Sequence, residues 1–394
     1  MNPVFEYIAA IFIMTLVVGY SLYSLNTMSS AQLNIAEQAQ LQPEVGRLYD
    51  KILLTKGYPE DWGSNIYINN SNLADFGISS EYGGMYRTDV NKLMRLVNNL
   101  SYTVNPFYIH PTTMGNLTGI YEDAGWSYGF RLRMADALKL NITYDQDQEP
   151  VTSYRVSVTN YWDRHASNAV VKGLYFLVWV DKHGNEDVFE YSYTTAENET
   201  DWQGQTVLDF TGRVPTVPQG VQKYGYILFS SANYYGIQSQ KIQVIGGPIQ
   251  TINLFLQGDY LIANYSEIEG VAKGAYHLEL AVIEFTSNQQ VIVDPALNET
   301  EGAAGKVVNS GGKDYAVFHL QNPVSEDIVF AGILVKKTGQ WTLAFCSRPT
   351  AFEIIDYRSH SFAYAGINSQ TYSRLVRVGP NSYYAELTVW RTSQ

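Results

Sequence analysis

The sequence predicts a mainly β protein carried on a long N-terminal α-helix, with the β part divided into two sandwiches. Three observations lead there. Between Glu6 and Glu37 no Asp, Glu, Lys or Arg occurs, and residues 7–25 (YIAAIFIMTLVVGYSLYSL) are almost wholly apolar. From about residue 126 the apolar spacing changes from the ~3.6-residue period of a helix to the two-residue period of a strand. Charged residues make up 16% of the chain, below the usual quarter, while aromatics reach 14% with 31 Tyr, the types that pleated sheets favour.

A bilayer core of ~30 Å requires ~20 apolar residues at ~1.5 Å of helix each. Residues 7–25 meet that length. A cleaved signal peptide would carry a basic start, a shorter apolar core and a small-residue cleavage site. The first basic residue here is Arg47, so the segment is expected to stay on the mature chain. A buried core helix is disfavoured by the length and the missing charges. The remaining readings are a membrane anchor and a helix that buries itself among copies of itself. The candidate assembly residues are Glu6, Tyr7, Ile11, Leu16 and Gly19. Glu6 stands one turn inside the apolar run, where a carboxylate is costly without a partner, though at a membrane boundary it would be solvated. No Lys or Arg lies close to either end of the run, so charge gives no orientation.

Residues 26–42 lack Gly and Pro, and Leu33, Ala36, Gln40 and Leu41 keep a loose helical spacing. The helix is expected to continue there, with Pro43 opening a second short helix over 44–54 whose inner face is Val45, Leu48, Ile52 and Leu53. Residues 1–55 are therefore read as helix and stalk, and 56–100 as a connecting segment. Within it, Gly57-Tyr58-Pro59-Glu60-Asp61-Trp62-Gly63 reads as a tight turn: Pro59 fixes φ and the glycines reach conformations closed to other residues. Tyr58 and Trp62 are expected to clamp the helix to the body. Thr88 or Asp89 should cap a helix with Val90, Leu93, Met94, Val97 and Leu100 on its core face.

Beyond residue 100, Phe130, Leu132 and Met134 alternate with arginines. Leu138, Leu140 and Ile142, and then Tyr154, Val156 and Val158, alternate with polar residues. Residues 173–180 (GLYFLVWV) form a continuous apolar run suited to a central strand, followed by a His183-Gly184-Asn185 turn. Short strands spaced by about ten residues suggest immunoglobulin-like sandwiches. Gly246-Gly247-Pro248 marks the boundary, giving domains at 101–247 and 248–394, the second with a Gly-rich loop over 298–312.

The net charge of −12 disfavours nucleic acid and anionic surfaces as partners. The lone Cys346 permits no intrachain disulfide and reads as a small buried hydrophobe. Seven Asn-x-Ser/Thr sequons, at Asn69, Asn99, Asn116, Asn141, Asn198, Asn264 and Asn298, favour an exported and glycosylated outer part. No nucleophile elbow, phosphate loop or zinc motif occurs, so no catalytic residue and no enzyme activity are expected. Asp145, Asp147 and Glu149 alternate: in a loop they suit a structural Ca²⁺, in a strand they share a solvent face. Tyr234-Tyr235, Tyr383-Tyr384, Trp162 and Trp202 offer stacking faces for a surface glycan, or pack within the sheets.

The opening MNPVFEYIAAIFIMTLVVGYSLYSL resembles the N-terminal helix of type IV pilins, although no basic leader precedes it in this numbering. KILLTKGYPEDWGSN, residues 51–65, resembles the LLLTxGYPxxWG segment of archaeal cell-surface proteins that carry such a helix, and residues 75–97 resemble the same group. The likeness covers about residues 1–100, with a weaker echo at 128–144. It implies an extracellular structural protein, membrane-anchored or built into a surface filament, with Glu6 meeting the α-amino group of a neighbouring copy. A single-span adhesin or glycan-binding ectodomain is the alternative.

Overall fold

The computed structural model describes residues 3–81, 83–100, 103–120, 128–144, 150–183, 186–221, 224–246, 254–264, 278–285, 291–295, 306–310, 313–319, 330–337, 340–347, 354–359 and 369–391. It is mainly β, with one long helix at the N-terminus. That helix, α1 (Pro3–Leu54), runs unbroken for 52 residues, about 78 Å at ~1.5 Å per residue. Pro43 lies inside it and does not open a second helix. Its ring removes one i→i−4 bond, but burial on both sides carries the helix through. Leu41, Val45, Tyr49, Ile52 and Leu53 repeat at i, i+4, i+8, i+11 and i+12 and are all buried.

After β1 (Arg87–Thr88), α2 (Val90–Met94) is capped by Asp89, whose carboxylate accepts from the Asn91 and Lys92 amides. It stops sooner than the spacing predicts. The Asn105 amide donates to the Met94 and Val97 carbonyls at 2.9 and 3.0 Å, taking acceptors that a longer helix would use, and Leu100 falls in β2 (Asn99–Leu100). The small hairpin with β3 (Thr103–Val104) and α3 (Pro111–Thr118) complete this segment.

Next come β4 (Tyr128–Asp136), β5 (Leu138–Thr143), β6 (Ser153–Asn160), β7 (Val170–His183), β8 (Glu186–Glu199), β9 (Gln205–Asp209), β10 (Tyr224–Tyr234) and β11 (Ile237–Gly246). The alternating residues of β5 and β6 point inward as expected: Leu138, Leu140, Ile142, Tyr154, Val156 and Val158 are buried. A three-stranded sheet, β5-β6-β9, and a four-stranded sheet, β11-β10-β7-β8, enclose one core with Tyr175, Leu177, Leu208, Phe210, Tyr226 and Leu228.

The later strands are β12 (Leu254–Gln257), β13 (Tyr260–Asn264), β14 (Leu278–Phe285), β15 (Val291–Pro295), β16 (Lys306–Ser310), β17 (Lys313–His319), β18 (Phe330–Lys337), β19 (Gln340–Ser347), β20 (Ile354–Arg358), β21 (Ser369–Val378) and β22 (Asn381–Arg391). The first eight of these form the four-stranded sheets β12-β13-β17-β16 and β15-β14-β18-β19. The Gly-rich stretch expected to be a loop over 298–312 contains β16, which pairs with β17 from Val307 opposite Ala316 to Ser310 opposite Lys313. Five residues between glycines are too few to display a period, so the ladder and not the pattern defines this strand.

The boundary at 247/248 does not separate the sheets. A five-stranded sheet, β1-β21-β22-β4-β20, joins β4 from the first expected domain to the C-terminal strands, with Leu132 opposite Leu387 and Met134 opposite Ile355. The C-terminal part of α1 lies on this sheet: the Tyr49 hydroxyl donates to the Ala385 carbonyl at 2.8 Å, and the Tyr372 ring packs at Gly46, where a Cβ would stand 3.3 Å away. Helix, turn, α2, α3 and sheet share one core.

Candidate assembly helix and head surface

α1 has two halves of opposite character. From Leu41 it is buried in the head, whereas Ala10–Ser29 is 20 residues long, apolar enough to cross a membrane, and covered by none of the described residues. Tyr7 is 74% exposed, Ile11 63% and Leu16 57%, and a Cβ placed on Gly19 would meet no atom within 4 Å. The exposed apolar side chains occupy every face, with Ile11, Phe12, Ile13 and Met14 consecutive and Leu16, Val17 and Val18 following. A helix that is apolar all round belongs in lipid or at the centre of an assembly. Three of its hydroxyls are satisfied internally: Thr15 donates to the Ile11 carbonyl and Ser21 to the Val17 carbonyl at 2.8 Å each, and Thr27 to the Tyr23 carbonyl at 3.1 Å. The hydroxyls of Thr15, Ser21 and Thr27 therefore need no water, which suits an apolar medium. Glu6 sits in the helix, with its side chain outside the described set.

The foot of the helix is held by Trp62 and by two cations the sequence does not announce. Trp62 is fully buried, and its indole N–H lies 3.1 Å from the Lys56 carbonyl and 3.0 Å from that of Gly77. Tyr58, its expected partner in the clamp, is exposed. Gly57 adopts φ +76°, and a Cβ there would press on the Asp75 carbonyl and the Trp62 indole. Two cations flank the Trp62 ring, Lys92 at 5.9 Å and Arg95 at 5.8 Å from its centroid. Lys92 Nζ donates to the Lys56 and Ser79 carbonyls at 2.9 and 3.0 Å, with Asp89 3.9 Å away. The Arg95 guanidinium donates to the carbonyls of Trp62, Asn65, Ile68 and Phe107. Desolvation lowers both cations, Arg95 to about 10, and the Asp89 charge opposes it at Lys92. From the second half of the chain, the Gln257 amide donates to the Gly63 and Asn91 carbonyls.

The sequon asparagines at 69, 116, 141 and 198 are exposed. Asn141 points outward from β5, and Asn198 lies near the end of β8, where its amide donates to the Val207 carbonyl at 3.2 Å. Asn99 and Asn264 lie in β2 and β13 with side chains outside the described set, and Asn298 lies outside it entirely. Asp145, Asp147 and Glu149 also fall outside the described residues. Among the described residues no group of three or more His, Cys, Asp or Glu side chains is placed to hold a metal.

Of the aromatics singled out for stacking, Tyr383 is buried in the core, Trp202 is exposed on the β8–β9 connection, and Tyr234 and Tyr235 form an edge-on pair at the tip of the β10–β11 hairpin. Trp162 and Tyr384, 222 positions apart by their numbers, come together with their rings 5.2 Å apart.

No protein-family model matches the chain, and a comparison with curated proteins gives no match either. Among solved structures, the chain is similar to Spo0M, a sporulation control protein from Bacillus subtilis, with 13% identity over 54% of this chain and 91% of that one and a TM-score of 0.20. A likeness at that score carries nothing about function here.

Proposed function

We propose that this chain is a structural protein of an archaeal cell surface. Its N-terminal helix tethers it in the membrane or polymerises it with copies of itself, and its β sheets form the outward body. The observation that carries this reading is the division of α1: one continuous rod, buried in the head at its C-terminal end, with Ala10–Ser29 uncovered on every face. In water that stretch would expose apolar surface on a scale that marks an interaction site. Lipid or neighbouring helices cover it, and association then proceeds through van der Waals packing and not through charge, since residues 7–36 carry none. The resemblance of GYPEDWG to archaeal pilin-like surface proteins favours the cell surface, and the exposed sequons are consistent with export.

The body is read as immunoglobulin-like. For residues 138–246 the sheets β5-β6-β9 and β11-β10-β7-β8 place the first, second and fifth strands opposite the third, fourth, sixth and seventh, a Greek-key arrangement of seven strands. The two four-stranded sheets from residues 254–347 support a second sandwich, with β12 lying beside β19.

Membrane fractionation, with electron microscopy of material sheared from the producing cells, tests the reading. The chain is expected in the membrane or in filaments with residues 7–29 intact. Leu16→Arg, which places a charge at the middle of the apolar run at an insertion cost of about 3 kcal/mol, is expected to release it or stop filament growth. A freely soluble monomer that begins beyond residue 29 in its native form would overturn the assignment.

A further inference from the structure

We infer that Tyr161, Trp162 and Tyr384, with Arg133 and Glu386, form a binding site for a neutral saccharide on the outer face of the five-stranded sheet. This inference is independent of the role of the helix. Trp162 follows β6 and is 61% exposed. The ring centroids lie 4.8 Å apart for Tyr161 and Tyr384, 5.2 Å for Trp162 and Tyr384, and 5.6 Å for Tyr161 and Trp162. The Tyr161 and Trp162 planes stand at 87°. The three rings thus offer faces in different directions and do not stack flat against one another.

The indole is presented by a braced loop. The Asn160 carboxamide oxygen accepts from the Trp162 and Arg164 amides at 3.0 Å each, and Lys139 pairs with Asp163 at 2.6 Å. Such preorganisation lowers the ordering cost of binding. At the base of the rings Arg133 Nη1 donates to the Tyr161 hydroxyl at 2.7 Å and to Glu386 at 3.1 Å, while the Tyr161 hydroxyl donates to Glu386 at 2.8 Å. Farther along the same face Arg131 makes a two-pronged pair with Asp356 at 2.7 and 3.0 Å, and the Thr371 and Thr388 hydroxyls meet at 2.8 Å.

The charge pattern selects the ligand class. Arg133 and Arg131 are each matched by a carboxylate, Glu386 and Asp356, so the polar groups beside the rings offer donors and acceptors with no net charge, and Arg358 stands farther along the face, opposite Arg131. A phosphate or carboxylate ligand would meet Glu386 as well as Arg133. A quaternary ammonium, which aromatic cages also hold, would meet the Arg133 guanidinium 5.8 Å from the Tyr161 ring centre. A pyranose fits both parts: its C–H face covers an indole or phenol ring, and its hydroxyls reach paired polar groups at the ring edge.

The test uses the full chain in detergent, titrated by calorimetry with maltohexaose, cellohexaose and chitohexaose, which are neutral pyranose chains of different linkage and substitution. Binding of at least one is expected, weakened at least about tenfold by Trp162→Ala and by Tyr384→Ala and unchanged by Trp202→Ala. Because Trp162 is exposed, Trp162→Ala should keep the thermal midpoint, which separates lost binding from lost folding. Three outcomes overturn the inference: no binding of any of the three sugars, equal binding by Trp162→Ala, or binding of choline in preference to all of them.

Discussion

Among the described residues Arg95 has no carboxylate as hydrogen-bond acceptor; its guanidinium serves four backbone carbonyls, three in the 62–68 turn and that of Phe107 in the turn after β3. A loop cannot satisfy those carbonyls by itself, and a buried acceptor left without a donor costs ~1–3 kcal/mol. Arg95→Met keeps most of the volume and removes every donor. It is expected to lower the unfolding free energy by about 3 kcal/mol or more, measured by urea denaturation of the detergent-solubilised chain. Trp62 fluorescence would shift as its flank opens, and an effect below about 0.5 kcal/mol would contradict the role. Nothing in VNKLMRLV distinguishes Lys92 and Arg95 from solvent-facing interruptions of an apolar helix. Their burial follows from a demand created elsewhere, by carbonyls at 56, 62, 65, 68, 79 and 107, which the sequence does not display as a pattern.

Pro43 tests the continuity of α1 as an element. It leaves the Ala39 carbonyl without its intrahelical donor, and a proline within a helix costs roughly 3 kcal/mol relative to alanine. Its own side chain is exposed, so Pro43→Ala opens no cavity. The variant is expected to raise stability by about 1–3 kcal/mol and to increase helical circular dichroism. A drop in stability would mean that the backbone geometry Pro43 imposes is needed to seat Leu41 and Val45 in the head. The elements that the sequence makes legible are those whose cause is local: the charge-free apolar run, the Asp89 cap, the left-handed Gly57 and the alternations of β5 and β6. Those it hides are set by distant partners. β4 has the same alternation as its neighbours, yet it pairs with β22 from the far end of the chain, and β16 is a strand only because β17 lies beside it. The uncovered apolar helix was legible for the same reason, since its chemistry is continuous in sequence. The Tyr161–Trp162–Tyr384 cluster was legible only as separate exposed aromatics, because the β4–β22 ladder brings them together.

At the scale of the whole molecule, the abundance of tyrosine has a consequence for stability in base. Burial raises the phenol groups of Tyr49, Tyr154 and Tyr383 well above their ordinary value, and pushes Tyr108 up to about 12. Tyr49 and Tyr154 also donate to carbonyls, of Ala385 and Val151, which an ionised phenolate could not do. In the unfolded chain the same groups ionise near pH ~10. Below that pH both states are protonated and the stabilisation is fully present. Above it the unfolded state releases protons that the folded state retains, so stability falls as pH rises, by up to ~1.4 kcal/mol per pH unit for each buried phenol. Three such groups approach ~4 kcal/mol per unit, against a total stability of ~5–15 kcal/mol for a typical domain. Lys92 and Arg95 work in the opposite direction, since a lowered cation makes stability rise with pH until the unfolded group itself deprotonates; for Lys92 that ends near pH ~10, which leaves Arg95 alone against three phenols above it. The head is therefore expected to hold its thermal midpoint to about pH 9 and to unfold between about pH 10 and about pH 12. Tyrosinate absorbance and near-ultraviolet circular dichroism, followed together through the titration, check this. The core phenols should ionise in one cooperative step that coincides with loss of tertiary signal, whereas gradual ionisation with the tertiary signal intact would show that the phenols titrate within the fold and do not report its opening.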